Sequence, residues 1–276
     1  MESMTVPRSS AVFCANSGTA ARQKNSTRIR IARGCRTDSQ LNSLDRHKWQ
    51  NSVLKSYSRT MMTSLFDSDA VPPSRERLEE GAVLLRGFAV SEAPALLEEV
   101  ERIAQAAAFR HLVTPGGYGM SVAMTNCGRV GWVSDRTGYR YDVLDPDTGL
   151  PWPPMPGLFL DIAARAAREA GFDCYDPDAC LINRYAAGAK LSLHQDRDEK
   201  DASAPIVSVS LGLSAVFLWG GKRRKDPVRR LRIENGDVAV WGGPARFVYH
   251  GVAPLKDGQH PLTGNVRINL TFRKVF

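Results

Sequence analysis

Apolar positions along this chain follow two periods. Between Ser91 and about Ala108, the residues Leu96, Leu97, Val100, Ile103, Ala104 and Ala107 recur three and four apart, which places them on one face of a helix. Ser91 stands where a capping side chain is expected. A second helix carries Ile162, Ala163, Ala166, Ala167 and Ala170, and Gly171 sits at its expected stop. Ahead of the first helix, Ala82–Leu85 reads as a short buried strand. From Leu181 the period drops to two, and short strands follow one another: Leu181–Tyr185, Lys190–Gln195, Ile206–Leu211, Val216–Trp219, Leu231–Ile233, Val238–Trp241, Phe247–Gly251 and Val266–Phe272. Asn235-Gly236, between two of them, is the sequence of a tight hairpin turn. Many short strands with turns between them predict an antiparallel sandwich or jelly roll.

Residues 110–157 fit neither period. Thr114–Tyr118 (TPGGY) is a turn, and beyond it Trp132, Tyr139 and Tyr141 are interleaved with Arg129, Arg136 and Arg140. Without clean periodicity, the segment reads as neither a helix nor a run of strands. The bland reading of its aromatics is core packing.

The first 60 residues are rich in Ser, Thr, Asn and Arg and poor in apolar residues, so they are expected to be disordered. They hold 11 of the 37 Lys and Arg residues and 3 of the 29 Asp and Glu; residues 61–276 are balanced. The net charge of +8 is therefore a property of the tail and gives no argument for nucleic-acid binding by the rest. The tail (residues 1–61) reads as an organelle transit peptide, a nucleic-acid-attracting arm, or sequence upstream of a true start at Met61 or Met62. A cytoplasmic location is expected, or an organelle if the tail is a transit peptide. No apolar run is long enough for a membrane-spanning helix. Five cysteines with no CxxC pair point away from a disulfide framework and fit a reducing compartment.

Chemistry enters at Leu191–Asp196. Residues two apart on a strand point the same way, so His194 and Asp196 share a face. A lone His-x-Asp is weak, but after the tail only His111, His194, His250 and His260 remain, and His250 lies in another strand pattern of the same β-rich half. Two imidazoles and a carboxylate on neighbouring strands would form the facial triad of non-haem iron oxygenases. A satisfied core histidine and a surface His-Asp pair are the plain alternative. The last strand weighs against that alternative. Arg267, Asn269, Thr271 and Arg273 alternate with Ile268, Leu270 and Phe272, so one face is polar with two guanidiniums. An edge strand facing water could look like this; facing inward, such a strand implies an anionic ligand, because buried guanidinium is costly unless paired, and arginine suits carboxylates. Asn183 and Tyr185 share a face of their own strand and could add hydrogen bonds to the same ligand.

Five stretches carry a resemblance covering about Gly81 to Arg273: Val113–Asn126 (VTPGGYGMSVAMTN), Leu181–Asp196 (LINRYAAGAKLSLHQD), Ala204–Leu213 (APIVSVSLGL), Val240–Gly243 (VWGG) and Arg267–Arg273 (RINLTFR). On these the chain resembles the AlkB family of oxidative nucleic-acid demethylases, its bacterial members above all. The resemblance implies an α+β, mainly β fold: a double-stranded β-helix (jelly roll) with flanking N-terminal helices and a nucleotide-recognition lid. It divides residues 62–276 into a lid at 110–157 and a jelly-roll core at 181–276.

The resemblance also implies Fe(II) held by His194, Asp196 and His250, with 2-oxoglutarate and O2 as co-substrates. Arg267 would clamp the distal carboxylate of 2-oxoglutarate, helped by Tyr185 and Asn269, with Arg273 and Asn183 near its metal-bound end. Trp132, Tyr139 and Tyr141 would cover the substrate nucleotide, Asp198 would contact the flipped base, and Arg224 would lie on the substrate side. The implied reaction removes N-methyl groups from 1-methyladenine and 3-methylcytosine in single-stranded DNA, with RNA a second candidate, and releases formaldehyde, succinate and CO2. Seven basic residues within Lys222–Arg232 form a cluster suited to phosphates or, more plainly, a solvated face. The rival readings are a dioxygenase of this fold acting on a protein or small molecule, and a nucleic-acid-binding module without turnover. Nothing in the pattern calls for more than a monomer.

Overall fold

A computed structural model of the chain describes residues 74–276, and the expectations for the basic tail lie outside the described residues. Among the described residues, fourteen strands and two α-helices follow in chain order: β1 (Ser74–Glu79), β2 (Ala82–Arg86), α1 (Ala93–Ala106), β3 (Arg110–Val113), β4 (Gly119–Gly128), β5 (Gly131–Asp135), β6 (Gly138–Asp142), α2 (Gly157–Glu169), β7 (Ala179–Tyr185), β8 (Leu191–His194), β9 (Ile206–Gly212), β10 (Ala215–Trp219), β11 (Arg229–Ile233), β12 (Val238–Trp241), β13 (His250–Val252) and β14 (Arg267–Arg273). A large sheet runs β1-β2-β12-β9-β14-β7-β4-β3 and a small one β11-β10-β13-β8. β5 and β6 form a separate hairpin. Among the described residues no helix is long and apolar enough to cross a membrane.

The two periods of the sequence build two cores. On β14, Ile268, Leu270 and Phe272 turn toward the helices, where they pack with Leu96, Val100, Phe159 and Ile162. The neighbouring strands contribute Cys180, Ile182, Val207 and Val209 to the same layer. The opposite face of the large sheet meets the small sheet through Leu84, Ile206, Trp241, Phe217 and Trp219. The polar face of β14 lies on that second side, and all seven of its residues are buried. An edge strand facing water is thereby ruled out: β14 is paired on one side with β7 and on the other with β9.

Several details differ from the sequence reading. Helix α1 starts after Glu92 with no side-chain cap, and Ser91 Oγ donates instead to the Glu92 carboxylate. Asn235-Gly236 is a turn, with Gly236 at φ +81°, but not a hairpin turn. The strands it joins, β11 and β12, belong to different sheets, and its Asn235 Oδ1 accepts from Gly212 N instead. A jelly roll passes the chain from sheet to sheet, and the turn serves that crossover. The stretch 110–157 is built in two parts. β3 and β4 extend the large sheet by pairing β4 with β7, and Val122–Cys127 are buried there. Only the β5–β6 hairpin and the coil after it stand apart from the sheets. A run of apolar residues broken by Thr125 and Asn126 hides its period because β4 is covered on both faces.

Candidate metal and co-substrate site

β8 ends and β13 begins at the histidines, and the pairing of these strands sets His250 opposite His194. Their rings lie 4.4 Å apart, centroid to centroid. Each Nδ1 sits beside the carbonyl two residues earlier, His194 at 2.9 Å from Ser192 O and His250 at 3.0 Å from Val248 O. The carbonyls can only accept, so Nδ1 carries the proton and Nε2 keeps its lone pair. Asp196 comes just past the end of β8, not on the strand, yet its carboxylate reaches the same point. His194 Nε2 is 3.6 Å from Asp196 Oδ1, and His250 Nε2 is 3.7 Å from Oδ2. All three donor atoms lie within 4.8 Å of one another.

Electrostatics prepare these groups as ligands. Burial, reinforced by His194, pushes the His250 imidazole down to about 4, so it is neutral at physiological pH. Burial alone would raise the Asp196 carboxyl, but the Arg273 guanidinium, both imidazoles and Arg246 hold it well below the usual carboxylate range. Asp196 Oδ2 is buried without a hydrogen-bond partner. Two imidazole Nε2 atoms and one carboxylate oxygen, that oxygen unsatisfied, fit a divalent non-haem iron.

Beside the triad is a cavity of ≈ 270 Å³ between the two sheets. Arg267, Asn183, Tyr185, Asn269 and Arg273 all line it, so the structure brings the five expected co-substrate residues together. Arg267 is fully buried. Its Nη2 donates to Ser210 Oγ at 3.1 Å, while Nε and Nη1 have no partner. Its guanidinium carbon stands 4.9 Å from the Tyr185 ring centre. Burial lowers its pKa from the ordinary value, with the Tyr185 phenol countering. A buried cation with two unspent donors on a cavity wall is a seat for a carboxylate. Asn269 has little left to offer a ligand directly. Its Nδ2 donates to Ser208 Oγ and Val209 O, and its Oδ1 accepts from Thr271 Oγ1 and Asn183 Nδ2. It orients Asn183, whose own Oδ1 is unpartnered.

At the cavity mouth Trp132 and Tyr139 stack at 5.6 Å and 14° between planes. The Trp132 indole Nε1 donates to Asp198 Oδ2 at 2.8 Å. Tyr141 is not among the cavity-lining residues. Its ring packs with Val130, Ala179 and Val275, and its hydroxyl donates to Glu199 at 2.5 Å. Arg224 is exposed on the β10–β11 loop, 6.0 Å from the Tyr249 ring centre. Sequence reasoning passed over Glu199 and Arg246, which form a buried ion pair at 3.0 Å behind Asp196. No periodicity marks either. The only signal for Glu199 was an uninterrupted charge run, Asp196–Asp201, on a chain that is neutral overall outside its tail, and Arg246 had none.

Fold, triad and anion seat together define an Fe(II)- and 2-oxoglutarate-dependent oxygenase, and the profile of the 2OG-Fe(II) oxygenase superfamily matches residues 81–273. The chain is 58% identical over 202 residues to the alpha-ketoglutarate-dependent dioxygenase AlkB of Escherichia coli K12, covering 73% of this chain and 94% of that one. It is 57% identical to its Salmonella typhimurium counterpart over 213 residues, with 77% and 98% covered. The solved structure of OsALKBH1 superposes with a TM-score of 0.65 at 29% identity, covering 73% of this chain and all of that one. The chain belongs to the AlkB family of alpha-ketoglutarate-dependent dioxygenases.

Bound Fe(II), with 2-oxoglutarate and O2, supplies the oxidising power for hydroxylation, while succinate and CO2 leave. His194, Asp196 and His250 would hold the metal. Arg267 would pair with the far carboxylate of 2-oxoglutarate and fix how deep it sits. Trp219, Trp241 and Phe217 pack against one another beside His250 and give the site an apolar, water-poor wall.

Proposed function

We propose that this dioxygenase removes N-methyl groups from alkylated bases, with 1-methyladenine and 3-methylcytosine in single-stranded DNA as preferred substrates and RNA as a second one. It would work as a cytoplasmic monomer. One observation carries the substrate assignment: an aromatic pair and a carboxylate, Trp132–Tyr139 and Asp198, flank the cavity that ends at the metal ligands.

A base cannot present its Watson–Crick edge to such a cavity while stacked and paired. It must be single-stranded or flipped out, and a methylated edge that cannot pair is cheaper to open. Trp132 offers a stacking face, and His194 lines the same cavity. The Asp198 carboxylate favours a cationic methylated base, or one with an exocyclic amino group, over a neutral base. It would exchange its bond from Trp132 Nε1 for one from the base. Hydroxylation of the N-methyl carbon gives a hemiaminal, which breaks down to formaldehyde and the restored base.

The loop Lys222–Lys225 is anchored beside the site, because Gly220 N and Tyr249 N bond across to Tyr249 O and Gly221 O. Arg223 is engaged by Asp226, Arg229 by Leu78 O and Arg232 by Glu234. Among the described residues no carboxylate pairs with Lys222, Arg224, Lys225 or Arg230, which supports their use on phosphates.

The test is turnover with Fe(II) and 2-oxoglutarate on matched oligomers carrying 1-methyladenine, as single-stranded DNA, duplex DNA and RNA. Succinate and formaldehyde are measured together. Equal yields that depend on the oligomer, highest for single-stranded DNA, are expected. Succinate formed at the same rate without any oligomer would instead point to a protein or small-molecule substrate.

A further inference from the structure

Behind the metal ligands lies a buried ion cluster whose central carboxylate the chemistry above does not use. Glu199 is at its centre, with its side chain 2% exposed. Its Oε2 takes a bond from Arg246 Nη2 at 3.0 Å, and Arg246 is itself 3% exposed. Its Oε1 takes the Tyr141 hydroxyl and lies 3.2 Å from Arg273 Nε. Both arginines then reach Asp196 by different routes. Arg246 Nη1 donates to the Asp196 main-chain carbonyl at 2.8 Å, and Arg273 Nη2 donates to its Oδ1 at 3.1 Å. Arg246 is tied further by Nε to Ala204 O.

Asp196 is thus gripped at its backbone and at one carboxylate oxygen, while Oδ2 is left without a partner on the side of the imidazoles. The grip is balanced: two guanidiniums face two carboxylates. If the Glu199 charge were removed, both cations would be left to one carboxylate. Nothing would then hold Arg273 back from spreading a bidentate pair across both oxygens of Asp196. Oδ2 would be taken by a guanidinium in place of a metal. Asp196 lies past the end of β8, so no strand ladder fixes its backbone; the Arg246 bond does that work.

We infer that Glu199 is a positioning residue for the metal centre, holding Arg246 and Arg273 so that Asp196 presents one free oxygen to the ion. Residues that orient metal ligands typically change metal affinity or activity by about 10–100-fold when altered. The full chain is titrated with Co(II), followed by its visible absorption, with no nucleic acid present, so the result is independent of the substrate reading.

Glu199→Gln is expected to weaken Co(II) binding by about 10–100-fold and to change the absorption band. Arg246→Lys keeps the charge but cannot reach Glu199, Ala204 O and Asp196 O together, so it should weaken Co(II) in the same sense by a smaller factor. That variant carries the test if Glu199→Gln does not fold. Thermal unfolding of the metal-free proteins is read alongside. Parent-like Co(II) affinity and spectrum in the folded variants, with only the melting temperature lowered, would overturn the inference and leave Glu199 a purely structural residue.

Discussion

Arg267 and Arg273 open and close the same strand, face the same side of the sheet and are both buried, yet their surroundings are opposite. Arg273 stands between the carboxylates of Asp196 and Glu199. Burial alone would lower it, but those charges, with Tyr141, hold it well above the ordinary arginine value. Arg267 has a serine hydroxyl, a phenol ring and two idle nitrogens, and burial pulls its pKa down. The charge of one guanidinium is matched by the protein's own carboxylates; the charge of the other is matched only when something anionic enters. The difference teaches where folding energy ends and binding energy begins along a single β-strand.

Substitutions at these positions separate the two roles. The largest effect is expected for Asp196→Ala, which removes a ligand and the partner of Arg273 at once. Succinate formation should be abolished, and retained turnover would exclude the triad. Next comes Arg273→Met. Breaking a buried ion pair by removing one partner costs about 3–5 kcal/mol, so chemical denaturation of the metal-free variant should show a loss of that size. Arg267→Met should behave differently. Metal-free, it should be no less stable than the parent, because it removes a buried charge that has no ionic partner.

The cost of Arg267→Met appears only with ligand, as a KM for 2-oxoglutarate raised about 10–100-fold, the value of charge-assisted hydrogen bonds of about 1.5–3 kcal/mol. Trp132→Ala should raise KM for a methylated oligomer by about tenfold, from a stacking contribution of about 1–3 kcal/mol, with KM for 2-oxoglutarate unmoved. The smallest effect belongs to Lys222→Gln with Lys225→Gln. Oligomer affinity should fall modestly, and its dependence on log salt should flatten by about 1–2 units, measured by anisotropy across salt concentrations.

Much of this site could be read without coordinates. The alternation on β14 announced two buried guanidiniums, because a paired strand has only two faces and seven residues divide cleanly between them. His194 and His250 were legible since few histidines compete for the role. What stayed hidden depended on contacts between distant segments. The pairing of β4 with β7 could not be seen in a stretch whose apolar residues cover both faces. Asn235-Gly236 has the chemistry of a hairpin, and local chemistry does not say which sheet the next strand joins. Tyr141 shares an aromatic and basic segment with Trp132 and Tyr139, but its hydroxyl meets a carboxylate 58 residues away and not the cavity. Glu199 and Arg246 are charged residues in loops, where burial has no sequence signature at all.

A metal triad faces an arginine with no ionic partner across one cavity. Calorimetric titration of 2-oxoglutarate into the Mn(II)-loaded parent and the Arg267→Met variant, without oxygen-dependent turnover, tests this arrangement most directly. One molecule should bind per parent chain, only when metal is present, and the variant should bind about 10–100-fold more weakly. Equal affinities in the two proteins, or binding just as tight without metal, would contradict it.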